Sequence, residues 1–110
     1  MASLDLVVKF LDCFCRGDID HLAEILADDL EFEGPLLQVN GRENYLEALR
    51  SDPPEQSTYQ ILDFVEEAEK VVVFYEYRKP QGNIKVEQSF VIKNGYIAKM
   101  VLVFDCSQLD

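Results

Sequence analysis

The sequence predicts an α+β domain in which helices at the start of the chain cover one face of an antiparallel sheet. Helical spacing of apolar residues dominates the first half, and period-two alternation dominates the chain from Tyr59 onward. The 110 residues are 48% hydrophobic and 28% charged, which is typical of a globular protein. This length predicts one domain over residues 1–110, whose core can form without disulfides or metal.

The first part of the chain predicts two helices and a short strand. Apolar side chains recur at helical spacing over 4–15, and a second helical pattern covers 19–27. Gly17 suits the end of the first helix, and the side chain of Asp18 suits the N-cap of the second. The segment 30–33 alternates with period two and stops at a Gly-Pro pair, which predicts a strand.

A third helix and a run of strands follow. Asn40-Gly41 opens a predicted helix over 42–50, and Asn94-Gly95 is a strong signal for a β-hairpin. Short turns divide the chain from Tyr59 onward into four predicted strands, at about 59–67, 70–79, 84–93 and 96–105. This order favours a meander of antiparallel strands packed against three helices.

Both faces of the predicted sheet carry apolar residues. One side of the strand 84–93 holds Ile84, Val86, Gln88, Phe90 and Ile92. On the opposite face of the sheet we expect an apolar set made of Val72, Phe74, Val91, Val101 and Val103. A face that helices do not cover should be polar, so an apolar patch there indicates an interface. We therefore expect a homodimer that packs the two outer faces together.

Charge, hydropathy and cysteine content bear on the class of protein. Ten basic and 21 acidic residues give a net charge of −11, which disfavours nucleic acid and anionic membrane surfaces as partners. No apolar run approaches about 20 residues, and no signal-peptide pattern opens the chain, so we expect a cytoplasmic protein. Cys13, Cys15 and Cys106 lack metal-ligand spacing, so we expect reduced thiols, no metal and no cofactor.

Several short motifs occur in a fixed order, beginning within the run from Val8 to Leu36. They are Gly17-Asp18 between two helices, Ala27-Asp28-Asp29 before the first strand, Gly34-Pro35 after it, Val39-Asn40-Gly41-Arg42-Glu43 before the third helix and the hairpin Lys93-Asn94-Gly95-Tyr96-Ile97. Together they resemble the nuclear transport factor 2-like superfamily, and within it the SnoaL-like and steroid-isomerase-like branches. The resemblance implies a cone-shaped fold, a curved sheet around a long helix, with a pocket at its open end and dimers through the outer sheet face.

The resemblance also implies where catalytic groups would lie. Steroid isomerases of this fold use an aspartate base with a tyrosine and a neutral aspartic acid, and the matching positions here are Gly34, Phe10 and Gln88. None of these three side chains supplies the required proton transfer. The acid–arginine–acid relay of similar epoxide hydrolases is also unmatched, because its last-strand position is Leu102 and Arg78 is expected outside. The acidic base of SnoaL-like cyclases has no counterpart among the inward residues of the last two strands.

Four carboxylates remain as candidate catalytic groups. Asp63 lies in a strand of ambiguous alternation, where a β-bulge could turn it inward, and Asp105 ends the last strand near the expected mouth of the cone. Glu31 and Glu33 would face inward only if the first strand shifted by one residue. For each of the four, a solvated surface carboxylate is the more ordinary interpretation, and most of all for Glu31 and Glu33.

The remaining pattern is an apolar, aromatic interior with few polar groups. With Gln88 and the tyrosine hydroxyls as hydrogen-bonding groups, the expected lining is Phe10, Phe14, Phe32, Gly34, Tyr45, Tyr75, Tyr77, Gln88, Phe90, Met100 and Leu102. If these side chains fill the interior, the domain is a non-catalytic dimerisation or binding module. If they leave a pocket, which is the interpretation we favour, the pocket takes a small hydrophobic or aromatic molecule, and an isomerase, cyclase or lyase acting by acid–base chemistry is then open.

Overall fold

Among the residues that the structure describes, the chain forms three helices and six strands. The structure is a computed structural model that describes residues 3–35, 37–54 and 56–104. The helices are α1 (Ser3–Arg16), α2 (Ile19–Ile25) and α3 (Arg42–Ser51). The strands are β1 (Leu26–Glu33), β2 (Gln38–Asn40), β3 (Thr58–Glu67), β4 (Lys70–Lys79), β5 (Gly82–Lys93) and β6 (Tyr96–Val103). The predicted α+β class is confirmed.

The strands form one curved, open sheet in the order β2-β1-β6-β5-β4-β3. The strands β3 to β6 make the predicted antiparallel meander. β1 instead pairs with β6 in the parallel direction, so the sheet is mixed and not wholly antiparallel as predicted. Alternation shows which side chains share a face, but it does not show the direction of the neighbouring strand.

The junction between α1 and α2 forms as predicted. Gly17 adopts a left-handed conformation with φ of 72° directly after α1. The Asp18 side chain accepts a hydrogen bond from the His21 backbone N–H and caps α2. α2 ends earlier than predicted, because Leu26 is drawn into the sheet as the pairing partner of Ile97 on β6. Strand pairing thus overrides the helical spacing at this point.

The first two strands differ most from the prediction. β1 begins at Leu26 instead of residue 30, with a register shift before Glu31. β2 pairs antiparallel with the end of β1, and Val39 is the half-buried residue at its centre. Alternation over three residues does not differ from that of a loop, so β2 can be recognised only from its pairing.

The core lies between the helices and one face of the sheet. α1 contacts β3 and β4, and α3 contacts β1 and β2. The predicted inward residues of β5, from Ile84 to Ile92, are buried. On the opposite face, Phe74 is 40% exposed and Val103 is 53% exposed. The alternation therefore assigned the inner and outer faces of these strands correctly.

The structure also describes the surroundings of two cysteines and the length and polarity of the helices. Cys13 and Cys15 are free and buried, and burial raises the pKa of both thiols. Cys106 lies outside the described residues. In the described part of the chain, each helix is too short or too polar to cross a membrane.

Candidate functional site

An open cavity of about 330 Å³ lies between the helices and the inner face of the sheet. α1, β1, α3 and the segment after α3 contribute to its wall, and β4, β5 and β6 supply the remainder. Most of the lining side chains are aromatic or aliphatic. The residues on the wall are Phe10, Phe14, Phe32, Tyr45, Asp52, Pro53, Pro54, Tyr75, Tyr77, Lys79, Ile84, Val86, Gln88, Leu102 and Phe104.

The elements explain why these side chains converge. Phe10 and Phe14 lie one helical turn apart on α1 and stack with ring centroids 5.9 Å apart. Tyr75 and Tyr77 occupy alternate positions on β4, so both point to the inner face. The antiparallel register sets Val86 of β5 directly opposite Tyr75. Helical and strand periodicity therefore direct these side chains into the same space.

A buried hydrogen-bonded pair is the main polar feature of the wall. The Tyr75 hydroxyl donates to Gln88 Oε1 at 2.8 Å, and Gln88 Nε2 lies 3.6 Å from Met100 Sδ. A thioether carries no hydrogen to donate, so the amide nitrogen faces the sulfur and the amide oxygen faces the phenol. Gln88 is 3% exposed, so the fold holds this amide in a largely apolar setting.

A second phenol lies on the wall opposite the sheet. Tyr45 on α3 is buried, and its ring packs against Phe32 with centroids 5.1 Å apart. Burial raises the pKa of both Tyr45 and Tyr75 above the ordinary tyrosine value. Both phenols therefore stay protonated at neutral pH, so each hydroxyl carries a hydrogen that it can donate.

The exposed part of the wall is more polar. Asp52, Pro53 and Pro54 follow α3, and the Asp52 backbone N–H donates to the Ala48 carbonyl at the helix end. Lys79 approaches from the end of β4. In the sequence this segment is recognisable only as a helix terminator, and no sequence signal connects it to the strands that it faces.

The structure brings together most of the predicted lining residues. Those on the cavity wall are Phe10, Phe14, Phe32, Tyr45, Tyr75, Tyr77, Gln88 and Leu102. Their role in binding a ligand stays a prediction. The cavity wall also includes Ile84, Val86 and Phe104, which were not among the predicted lining residues, although alternation places them on the same face as Gln88 and Leu102.

Three predicted lining residues do not lie on the cavity wall. Phe90 and Met100 are fully buried in the core, and the Phe10 ring lies edge-on against Phe90 at 5.5 Å between centroids. Gly34 borders a separate depression at the ends of β1 and β6, together with Leu37. Alternation places Phe90 and Met100 on the correct face but does not show how deep each residue lies.

The three candidate carboxylates that the structure describes, Asp63, Glu31 and Glu33, do not lie on the cavity wall either. A register irregularity does occur between Ile61 and Asp63, yet Asp63 stays exposed and its Oδ1 accepts from the Phe64 backbone N–H. Glu31 and Glu33 are exposed, because Phe32 between them faces inward. Asp105 lies outside the described residues. Arg78 is outside the cavity as expected and pairs with Glu76 at 2.8 Å.

The wall therefore offers hydrogen bonds more readily than proton transfer. Tyr45, Tyr75 and Gln88 supply donors and acceptors in its buried part. Among the described lining residues the one carboxylate is that of Asp52, which is exposed to solvent. The arrangement can orient a polar group on a ligand whose remaining surface contacts aromatic rings.

The sequence profile of the SnoaL-like domain matches residues 7–100. The chain belongs to the SnoaL-like domain family. The predicted resemblance is thereby confirmed, and the match extends from α1 into β6, so that Leu102 and Phe104 are the residues of the cavity wall that lie beyond it. No curated protein sequence matches this SnoaL-like domain at a significant level.

Solved structures share the fold of this SnoaL-like domain at low sequence identity. An NTF2-like protein of unknown function from Cytophaga hutchinsonii aligns with a TM-score of 0.84 and 20% identity, covering 99% of this chain and 95% of that one. A predicted ketosteroid isomerase from Kribbella flavida aligns at 0.81 and 15%, covering 94% and 77%. A predicted SnoaL-like polyketide cyclase from Jannaschia sp. aligns at 0.79 and 14%, covering 97% and 88%. Similarity at this level establishes a common fold. The activity has to be argued from the residues of the site itself.

Proposed function

We propose that this SnoaL-like domain binds a small hydrophobic or aromatic molecule in the cavity between its helices and its sheet. The observation that carries the proposal is the buried Tyr75–Gln88 pair on the wall of an otherwise aromatic and aliphatic cavity. Apolar walls with a few placed polar groups are the usual composition of ligand pockets. The apolar surface would supply most of the affinity, and the polar pair would orient the ligand.

The cavity volume limits the size of the ligand. An apolar cavity of about 150 Å³ is known to hold one benzene molecule. The volume of about 330 Å³ therefore favours a compound of roughly two or three fused rings. Flat rings suit this wall, because Phe14 and Tyr77 already pack ring against ring with centroids 6.3 Å apart.

The composition of the wall supports binding over acid–base catalysis. Two structural neighbours carry the names ketosteroid isomerase and polyketide cyclase. Isomerisation by proton transfer needs a group that can take up and return a proton next to the substrate. In the described part of the wall, the buried polar groups are phenols and an amide, and Asp52 is exposed at the edge. A non-catalytic ligand-binding domain is therefore the better supported function.

The proposal can be tested with the uncharged fluorescent dye N-phenyl-1-naphthylamine, which brightens in apolar surroundings. Leu102→Trp replaces an aliphatic side chain by the larger indole ring at a half-buried position of the cavity wall. We expect the wild-type protein to bind the dye with micromolar affinity and Leu102→Trp to bind it at least ten-fold more weakly. Lys99→Trp on the outer face of the same strand is the matched control and should leave the affinity unchanged.

Two results would contradict this proposal. A wild-type protein that does not brighten the dye has no accessible apolar cavity. A dye that binds wild type and Leu102→Trp equally well contacts another surface. The melting temperature of each variant separates a filled cavity from an unfolded protein, because a filled cavity should not lower it.

The outer sheet face supports a second proposal, that two copies of the chain pair through it. The pairing register places Ser89 between Val72 and Val101, and Val65 extends the same row on β3. Val65 is 59% exposed, and monomeric proteins rarely leave such a row of apolar side chains to solvent. We expect light scattering at micromolar concentration to give the mass of a dimer.

A further inference from the structure

Four tyrosines pack in or against the core, and three of them, Tyr45, Tyr59 and Tyr75, differ in their hydrogen-bond partners. The Tyr59 hydroxyl donates to Asp12 Oδ1 at 2.8 Å, and the Tyr75 hydroxyl donates to Gln88 Oε1 at 2.8 Å. Tyr45 is 3% exposed, and no group in the described part of the chain accepts from its hydroxyl. The fold therefore supplies an acceptor to two of these phenols and none to the third.

The unpartnered hydroxyl of Tyr45 belongs to a side chain that lines the cavity. Among the described residues, the side-chain oxygen that is both fully enclosed and unpartnered is Ser57 Oγ, so the Tyr45 oxygen keeps some accessible surface. Tyr45 lines the cavity and is otherwise buried, which places that surface on the cavity side. A buried donor without an acceptor costs free energy, so a group inside the cavity is expected to satisfy it.

Gln88 adds a second donor with spare capacity. Its oxygen is already used by the Tyr75 hydroxyl, whereas its nitrogen faces the Met100 sulfur, a weak acceptor. The buried polar groups on the wall are therefore short of acceptors and not of donors. A ligand that brings an acceptor is favoured over one that brings only a donor or no polar group.

We propose that Tyr45 selects for ligands that carry a carbonyl or a similar acceptor oxygen on a bicyclic or tricyclic apolar framework, with the Tyr45 hydroxyl donating to that oxygen. This proposal rests on the proposed function, because it assigns the chemistry of the ligand in the same cavity. Tyr45 is then the specificity-determining residue, and the aromatic wall is the source of general affinity.

A pair of matched probes tests the inference. 1-Tetralone carries a carbonyl on a bicyclic framework, and tetralin has the same framework without oxygen. A net hydrogen bond corresponds to a preference of roughly 2- to 12-fold, so the wild-type protein should bind 1-tetralone more tightly by that factor. Tyr45→Phe should abolish the preference and leave the affinity for tetralin unchanged, as measured by NMR titration of both probes.

Tyr59→Phe is the matched control, because it removes a phenol hydroxyl that bonds to Asp12 and does not line the cavity. It should retain the full preference for 1-tetralone. Tyr45→Phe should also keep the melting temperature of the wild type, because the hydroxyl that it removes has no partner in the described structure.

The outcomes separate this inference from the proposed function. If neither probe binds the wild-type protein, the proposed function fails and this inference fails with it. If both probes bind the wild type equally, the cavity binds apolar molecules but Tyr45 does not select among them. If Tyr45→Phe keeps the preference, a different donor recognises the carbonyl and the assignment to Tyr45 is wrong. The comparison of 1-tetralone with tetralin on the wild-type protein tests the preference for an acceptor oxygen even if Tyr45→Phe does not fold.

Discussion

At the scale of single residues, Gln88 occupies a position that strand alternation assigns to the core. Its neighbours on the same face of β5, Val86 and Phe90, are buried apolar residues. The sequence alone marks Gln88 as unusual, because a buried amide needs partners. Only the structure identifies them as the Tyr75 hydroxyl and the Met100 sulfur.

Gln88→Leu should destabilise the protein and weaken ligand binding. The substitution leaves the buried Tyr75 hydroxyl without its acceptor, which we expect to lower the free energy of unfolding by about 1–3 kcal/mol. Urea denaturation measures this loss, and titration with 1-tetralone should show reduced affinity in the variant that remains folded.

The double variant Gln88→Leu/Tyr75→Phe is the control for this prediction. It removes both partners of the hydrogen bond, and replacing both by apolar groups of similar shape is close to neutral. The double variant should therefore be more stable than Gln88→Leu alone. Strictly additive losses would show that the two side chains are not coupled.

At the scale of elements, the junction between α1 and α2 follows directly from local sequence. Gly17 provides the left-handed turn and Asp18 provides the cap, with its Oδ2 also 2.6 Å from His21 Nδ1. Partial desolvation opposes ionisation of Asp18, but the hydrogen bonds from His21 and the charge of Arg16 outweigh it. The pKa of Asp18 is therefore lowered below its usual value.

The lowered pKa of Asp18 predicts a pH-dependent contribution to stability. A carboxyl with a lowered folded-state pKa stabilises the fold above its unfolded-state value near 3.8, and the contribution is lost as the pH falls through the folded-state value. Asp18→Asn keeps a capping oxygen but no charge. The difference in unfolding free energy between wild type and Asp18→Asn should therefore shrink as the pH is lowered below about 4. A difference that stays constant in urea denaturation across this range would contradict the assignment.

β1 and β2 show the limit of local patterns at the scale of elements. The prediction located the end of β1 and its inward Phe32, but it placed the start of the strand too late and missed β2. Both errors have one cause. The start of β1 is defined by its pairing with β6, which is distant in sequence, and β2 is too short to show a period before it pairs with β1.

At the scale of the whole molecule, the curved sheet has two apolar faces. One packs against the helices and forms the cavity, and the other carries the row from Val65 through Val72 to Val101. Charged side chains border this row, including Glu87 and Lys99. An apolar centre with a charged rim has the composition of a protein–protein interface, which supports the proposed pairing of two copies.

A charge at the centre of this row should separate the two copies. Ser89→Glu introduces a carboxylate between Val72 and Val101, and two such carboxylates would meet without partners in the proposed dimer. Light scattering should show a dimer for the wild type and a monomer for Ser89→Glu. The control Asn83→Glu adds the same charge on the exposed end of the same strand and should leave the dimer intact.

The cavity should remain functional in Ser89→Glu, because Ser89 points away from it. Unchanged binding of N-phenyl-1-naphthylamine would show that the variant is folded and that binding does not depend on the second copy. A wild-type protein that is monomeric at micromolar concentration would refute the dimer.

The sequence by itself determined the α+β class, the helix junction at Gly17-Asp18, and the inner and outer faces of β4, β5 and β6. These features are local, because the direction of a side chain along a helix or strand follows from backbone periodicity. Only the tertiary structure decided that β1 runs parallel to β6 and that Asp52 and Lys79 border the cavity. The tertiary structure also decided how deeply each residue on the inner face of the sheet is buried. Phe10 of α1 covers Phe90 and leaves Gln88 on the cavity wall, because the position of a helix above a sheet depends on contacts between distant segments.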